Sequence, residues 1–286
     1  MPRSLTLSLT LLAMIAFAGN SLLCRLALQQ TAIDPASFTA LRLVSGALTL
    51  WLIVRVRSSS HSAAGSWPSA LALFGYAAAF SYAYVSLSAA TGALLLFGAV
   101  QATMLGYGLW MGERLRRRQF IGLALAMSGL VGLLLPGLSA PPLAGALLML
   151  GAGVAWGIYS LRGRGAGDAT RVTAGNFLRA VPMALLLALA ALPWSSLDIA
   201  GFWYAIASGA LASGVGYAIW YSALRGLRAT SAATVQLSVP VITALGGIVF
   251  LGETISLRLL ITSAAILGGI ALVIIDKQTA ATVPAR

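Results

Sequence analysis

Ten stretches of mostly apolar residues, each about 17–25 long and divided by short polar connections, leave this chain few ways to fold. Their limits fall near 5–28, 35–54, 69–88, 91–111, 119–135, 142–161, 172–192, 199–222, 230–250 and 259–275. About 20 helical residues cross the hydrocarbon core of a bilayer, and that core accepts only backbones whose hydrogen bonds are satisfied internally. Connections such as PGLSAPP and PWSSLD are too short to form a soluble domain. The sequence therefore predicts an all-α integral membrane protein with ten transmembrane helices in a single domain spanning residues 1–286. Composition agrees, since only 8% of the residues are charged and 59% are hydrophobic. Soluble domains average about 25% charged residues and could not cover their surface with so few.

A net charge of +12 would suit a nucleic-acid binder, but the basic residues lie between apolar runs and not on a polar domain. Their placement reports orientation instead. With the N-terminus in the cytoplasm, the inner ends hold Arg3, Arg55, Arg57, Arg114, Arg116, Arg117, Arg118, Arg162, Arg164, Arg171, Arg225, Arg228, Lys277 and Arg286, which is 14 of the 18 basic residues. The outer ends hold only Arg258, while Arg25, Arg42 and Arg179 fall within helices. That asymmetry places both termini in the cytoplasm and suits the cell inner membrane. No nucleic-acid partner is expected. Cys24 allows no internal disulfide, and the one histidine, His61, sits in the polar stretch RSSSHSAAGS, so neither a metal site nor a cofactor is expected. The opening MPRSLTLSLTLLAMIAFAGN has the look of a cleavable signal peptide, with a small-x-small site at Ala16-Phe17-Ala18. SLLC also suggests a lipobox, although Leu23 fits poorly before Cys24.

The chain is duplicated. LWMGERLRRRQFIGLALAMSGLVGLLL (109–135) aligns with VFLGETISLRLLITSAAILGGIALVII (249–275), so that Gly112-Glu113 matches Gly252-Glu253 at an offset of 140. Arg25 with Arg162, Arg42 with Arg179 and Tyr84 with Tyr221 all match at 137. The repeats run over 1–135 and 141–276, with five helices in each. An odd number makes the second half enter the membrane from the opposite side, giving an inverted-topology repeat of the kind secondary transporters use. The first helix pairs with the sixth in this scheme, which argues that it is retained. It also explains why the second copy loses most arginines, since its Gly-Glu turn lies on the outer side. There the glycine suits a helix end and the acid the start of the next helix.

With AFAGNSLLCRLAL and IDPASFTALRLVSGALTL in the first two helices, GERLRRRQFIG and GETISLRLLIT after the fourth and ninth, and GVAWGIYSLRGR in the sixth, the sequence resembles the drug/metabolite transporter superfamily with two EamA-type repeats. The resemblance covers nearly the whole chain, and within the superfamily it is nearest to the YddG-type aromatic amino-acid exporters. One departure is Ala18-Gly19 in the first helix, where many relatives have Trp-Gly. The resemblance implies export of small amphiphilic metabolites, amino acids including aromatic ones, by alternating access through a cavity between the repeats.

Several residue sets could line such a cavity. Tyr76, Phe80 and Tyr84 recur every four residues on the third helix, and Tyr217 and Tyr221 do so on the eighth, beside Trp220. Facing a wet cavity these rings could stack on a solute and hydrogen-bond it; the alternative is ordinary packing or an interfacial belt. Trp156 and Tyr159 on the sixth helix would join them. Asn20, Ser21, Gln101, Gln236 and Ser238 are polar residues in mid-helix, suited either to substrate or to helix–helix bonding. Arg25, Arg42 and Arg179 are unpaired intramembrane charges that could attract a carboxylate or could snorkel to a helix end. Pro240 is a hinge candidate.

The acids Asp34, Glu113, Asp168, Asp198, Glu253 and Asp276 all fall at helix ends or in loops. Proton-coupled exporters place a titratable group inside the bundle, so facilitated transport is favoured over proton antiport. A lipid-embedded enzyme lacks its catalytic groups here, and no phosphate-binding P-loop is present for a pump. A channel, or an exporter of other metabolites or drugs, remains open. An internal repeat builds its own pathway, so a monomer suffices; the oligomeric state is left open.

Overall fold

The computed structural model describes residues 2–57, 64–112, 116–137, 140–163, 167–227 and 229–282, without the side chains of 229–230 and 276–282. His61, Glu113, Arg114, Arg164, Arg228 and Arg286, and the side chains of Asp276 and Lys277, lie outside the described residues. Each apolar run forms one helical rod. The elements are α1 (Arg3–Gln30), α2 (Pro35–Arg57), α3 (Trp67–Tyr84), α4 (Ala89–Trp110), α5 (Arg117–Leu134), α6 (Leu143–Arg162) and α7 (Ala169–Ala190) in the first seven runs. The eighth run is α8 (Ile199–Ala207) and α9 (Gly216–Leu224), joined by a π-helical stretch Ser208–Val215. The ninth divides into α10 (Ala229–Gln236) and α11 (Ser238–Leu251), and the tenth is α12 (Leu257–Thr282). Among the described residues the fold is all-α.

Local chemistry sets many of the boundaries. Asp34, Ser66, Ser88, Asp168 and Asp198 accept backbone N–H groups at the starts of α2, α3, α4, α7 and α8. Gly252, at φ +64°, closes α11 in the left-handed region, where a side chain would be strained. Pro240 has no N–H to offer the carbonyl of Gln236, four residues back, and the rod breaks between α10 and α11 at Leu237. Pro182 lies within α7, which nevertheless continues unbroken to Ala190.

Eight of the rods are long and apolar enough to cross a membrane by length and composition. The other two, α3 and α5, have 18 residues each. Tyrosines in α3 and the Arg117-Arg118-Gln119 start of α5 lower their hydropathy. The bundle has the radial composition expected in lipid. Leu7, Leu11, Leu186, Leu189 and Val249 point outwards, whereas Thr39, Arg42, Ser81 and Thr243 are buried. Trp67, Trp110 and Trp194 sit exposed at or beside helix ends, the positions of an interfacial aromatic belt.

Packing is symmetric under exchange of the two halves of the chain. α2 lies on α7, and α5 lies on α12, pairing equivalent helices. α3 packs on α6 as α1 packs on α9, and α4 packs on α6 as α1 packs on α11. Small residues permit these contacts. A Cβ added at Gly122 would stand 2.6 Å from the Gly269 carbonyl, and one at Gly153 would stand 2.5 Å from Ala99 Cβ. Gly246, Gly247 and Gly269 all sit at such contacts; Gly268, the other half of its pair, faces open space.

The π-helical stretch departs from the uniform eighth helix the sequence suggests. Gly209 lies against the α2 backbone at Arg42 and against Ser45, and Gly214 lies against Thr49. The wider turn lets a Ser/Gly-rich segment meet α2 almost backbone to backbone. It also turns Ser208 towards Asn20 of α1, where its hydroxyl donates to Asn20 Oδ1 at 2.7 Å.

Candidate functional site: a cavity between the halves

A cavity of about 1140 Å³ occupies the middle of the bundle, between α1, α3 and α4 of the first half and α6, α7, α9 and α10 of the second. α5 and α12 supply an apolar wall through Leu123, Ala126, Leu130, Ile266 and Ile270. Its lining continues to Ser69, Arg162, Ala169, Leu224 and Ala232, at one end of the bundle, and includes none of the residues at the other end around Glu253.

An aromatic array forms one side. Trp156, on α6, is the junction: its ring centroid lies 5.4 Å from Tyr217 and 5.2 Å from Tyr159, both nearly parallel to it, and 4.8 Å from Tyr76. Tyr217 continues the array to Tyr221, and Phe80 adjoins Tyr76. Phe17 of α1 closes against Tyr217 and Trp220. The four-residue spacing on α3 and α9 puts each set on one face, and Trp156 of α6 meets both faces, at Tyr76 and at Tyr217. Such rings present π faces on which a planar or apolar group can lie.

Two polar clusters interrupt this apolar wall. In the first half, Tyr76 Oη accepts from Arg42 Nη2 at 3.0 Å and from Asn20 Nδ2 at 3.3 Å. The Arg42 guanidinium lies over the Tyr76 and Phe80 rings at 5.2 and 4.9 Å. Arg42 is only 1% exposed, and its Nε and Nη1 have no hydrogen-bond partner among the described residues. In the second half, Asn176 Nδ2 donates to Tyr159 Oη, which donates to Thr173 Oγ1; Thr173 and Tyr221 share a bond of 2.8 Å. The Asn176 carbonyl is used by the N–H of Ser66.

Most sequence-derived candidates meet at this cavity. Asn20, Ser21, Tyr76, Phe80, Gln101, Trp156, Tyr159, Tyr217, Trp220, Tyr221 and Gln236 line it. Tyr84 does not: it is fully buried beyond Phe80, where its ring meets Gly92 and its hydroxyl donates to the Ala89 carbonyl. The same four-residue spacing that turned Tyr76 to the cavity carried Tyr84 about two turns further, into the packed end of the bundle. Ser238 is likewise absent, its hydroxyl bonded to the Val235 carbonyl at the helix break. Pro240 is buried beside that break.

Phe17, Thr173, Asn176 and Ser213 line the cavity but were missed by the sequence reading. The signal for Phe17 was its place three residues before Asn20 on one face of α1.

All three intramembrane arginines donate to partners that sequence could not show, Arg42 to Tyr76 as above. Arg25 is not unpaired. Its Nε donates to Glu253 Oε1 at 3.2 Å, and its Nη1 donates to the carbonyls of Tyr84 and Val85. The Glu253 carboxylate also accepts the N–H of Ala89, at the start of α4, at 2.9 Å. Glu253 therefore serves α4 and α1, not the start of the helix that follows it, and this cluster closes the end of the bundle remote from Arg162. Arg179 donates to the carbonyls of Ala64 and Gly175. Arg162, the repeat partner of Arg25, reaches Ser69 Oγ at 3.2 Å and lines the cavity.

Comparison with known proteins agrees with this architecture. The model of the EamA-like transporter family matches residues 4–135 and again 143–275. An uncharacterized protein of Pseudomonas aeruginosa is 61% identical over 278 residues, covering 97% of each chain. The threonine/homoserine exporter RhtA of Salmonella typhimurium is 34% identical over 146 residues, or 48% of each chain. A crystal structure with 22% sequence identity superimposes over 95% of this chain and 97% of its own with a TM-score of 0.65, which is a likeness of fold. Two matched repeats covering nearly the whole chain make the conclusion plain: the protein belongs to the EamA-like transporter family.

Proposed function

We propose that the protein is a secondary transporter that exports small amphiphilic metabolites, above all amino acids including aromatic ones. One observation carries the reading: a large aromatic-walled cavity between two equivalent halves, continuous with one end of the bundle and shut at the other. In this reading all ten rods cross the inner membrane, and the two five-helix repeats, 1–135 and 141–276, have inverted topology. Both termini are cytoplasmic, and the cavity extends to the cytoplasmic side. The exchange-symmetric packing supports it, as does the name of the Salmonella relative, a threonine/homoserine exporter. The aromatic lining favours an apolar side chain on the solute.

Transport by this scheme is facilitated, since the cavity lining includes no carboxylate among the described residues. Glu253 gives proton antiport a specific basis as the second reading, because its carboxylate ties Arg25 to the start of α4 at the closed end. Counterflow of labelled amino acids in liposomes, with and without an imposed pH gradient, separates the two. Saturable counterflow indifferent to the gradient supports facilitation, gradient-driven accumulation supports antiport, and the absence of saturable exchange overturns the transporter reading.

Two variants probe the pathway. Trp156→Ala is expected to raise KM for phenylalanine and tryptophan about tenfold, the worth of one to two aromatic contacts, with less effect on threonine. Equal effects on all three would remove Trp156 from recognition. Pro240→Ala restores a donor for the Gln236 carbonyl, so the ninth rod can run straight. Counterflow should slow several-fold while thermal stability stays within about 1 kcal/mol of wild type. An unchanged rate would make the break a packing feature only.

A further inference from the structure

The two polar clusters differ in one respect that bears on the substrate. The chain Asn176–Tyr159–Thr173–Tyr221 is built of neutral groups alone. The cluster at Tyr76 contains a cation. Arg42 can only donate, and its Nη2 bond takes one lone pair of the Tyr76 oxygen. The Asn20 carbonyl already accepts from Ser208, so the Asn20 amide nitrogen faces Tyr76 and takes the other. Both acceptor positions of the phenol are filled from behind, and its own O–H remains to be donated. Tyr76 lines the cavity, so that donor belongs to the cavity.

The surroundings give the donor a sign. Arg42 has no acidic partner among the described residues and stands one ring behind the wall. Among the described residues no Asp or Glu lines the cavity, and the one charged lining residue is Arg162. A membrane-buried guanidinium without a counter-ion is costly, and a carboxylate brought in by the solute would supply one. Resting on the transporter reading above, we propose that Tyr76, held by Arg42 and Asn20, is the donor of a carboxylate subsite, so that the transported solute carries a free carboxylate. Tyr76 is the contact residue and Arg42 a positioning residue that orients and polarises it. Recognition then divides in two: the aromatic wall takes the side chain, and the Tyr76 edge takes the acid group.

The test uses the full chain in liposomes, with counterflow of labelled L-phenylalanine and, in parallel, labelled L-threonine. Competitors for phenylalanine are L-phenylalanine, N-acetyl-L-phenylalanine and L-phenylalaninamide; those for threonine are the free acid and its amide. In wild type the amides should compete at least about thirtyfold more weakly than the acids, as expected when a charge-assisted hydrogen bond is lost. N-acetyl-L-phenylalanine, which keeps only the carboxylate, should stay within about tenfold of phenylalanine. Tyr76→Phe should weaken the acids by about 10–100-fold and leave the amides unchanged. A merely structural Tyr76 would weaken both alike. Equal competition by acid and amide in wild type, or equal losses in Tyr76→Phe, overturns the subsite while the transporter reading stands. If neither labelled acid undergoes saturable exchange in wild type, both fall.

Discussion

Replacing Glu253 with alanine is expected to loosen the closed end of the bundle and to destabilise the protein by about 3–5 kcal/mol, the usual result of stranding one member of a buried pair. The side chains of Arg25 and Glu253 are only 10% and 13% exposed, so water offers little compensation. The same carboxylate holds the first N–H of α4, and that donor would be left without its acceptor as well. Thermal unfolding in detergent should move down by roughly 10 °C. Glu253→Gln keeps an acceptor for Ala89 and should fall between the two. The protein carries its own reporter of opening in Cys24, its single cysteine, next to Arg25 and fully buried. In the alanine variant a membrane-impermeant maleimide applied from the side of the closed end should label Cys24 at least about tenfold faster, if opening there is raised by the lost pairing energy. Wild-type stability together with wild-type labelling would show that the cluster does not hold that end shut.

The second large effect is expected at Gly209. Its neighbours are the Arg42 carbonyl and Ser45 Oγ of α2, and the obstruction is backbone, which cannot turn aside. Gly209→Leu should therefore part α2 from the π-helical stretch and remove most folded protein, a cost above about 4–5 kcal/mol. Size-exclusion of a fluorescent fusion after mild solubilisation reads this directly. Gly268→Ala is the matched control. Nothing stands within 4 Å of its added methyl group, and a helical glycine exchanged for alanine should gain about 0.5–1 kcal/mol. If both variants elute as wild type does, α2 is not held by close backbone approach.

Much of this fold was legible because lipid imposes a length and a composition on each crossing segment. The ten runs locate the rods, and the duplicated Gly-Glu turn leads to the matched family repeats. Helical periodicity also found the cavity faces, since Tyr76, Phe80, Tyr217 and Tyr221 share their turns with the wall. Periodicity names a face but not the neighbour that meets it, and Tyr84 shows the difference. On the same face as Tyr76, it meets Gly92 and not open space. The partners of Arg25 and Arg179 escaped for a related reason. Glu253 lies 228 positions from Arg25, and the carbonyl that receives Arg179 lies 115 away. The π-helical stretch left no distinct mark either, because Ser and Gly are also ordinary residues of membrane helices.

The interruption at Leu237 divides one rod between two mechanical tasks. α11 is seated on α1 and α4 and ends at the Gly252 turn, which delivers Glu253 to the closed end. α10 touches α12 and α11 and carries Ala232 and Gln236 along the open part of the cavity. The repeat equivalent of this rod, α4, is one unbroken helix. The two halves of the molecule thus share a blueprint but not a stiffness: the first contributes a lever, the second a jointed arm, and a displacement at the mouth need not be felt at the seal.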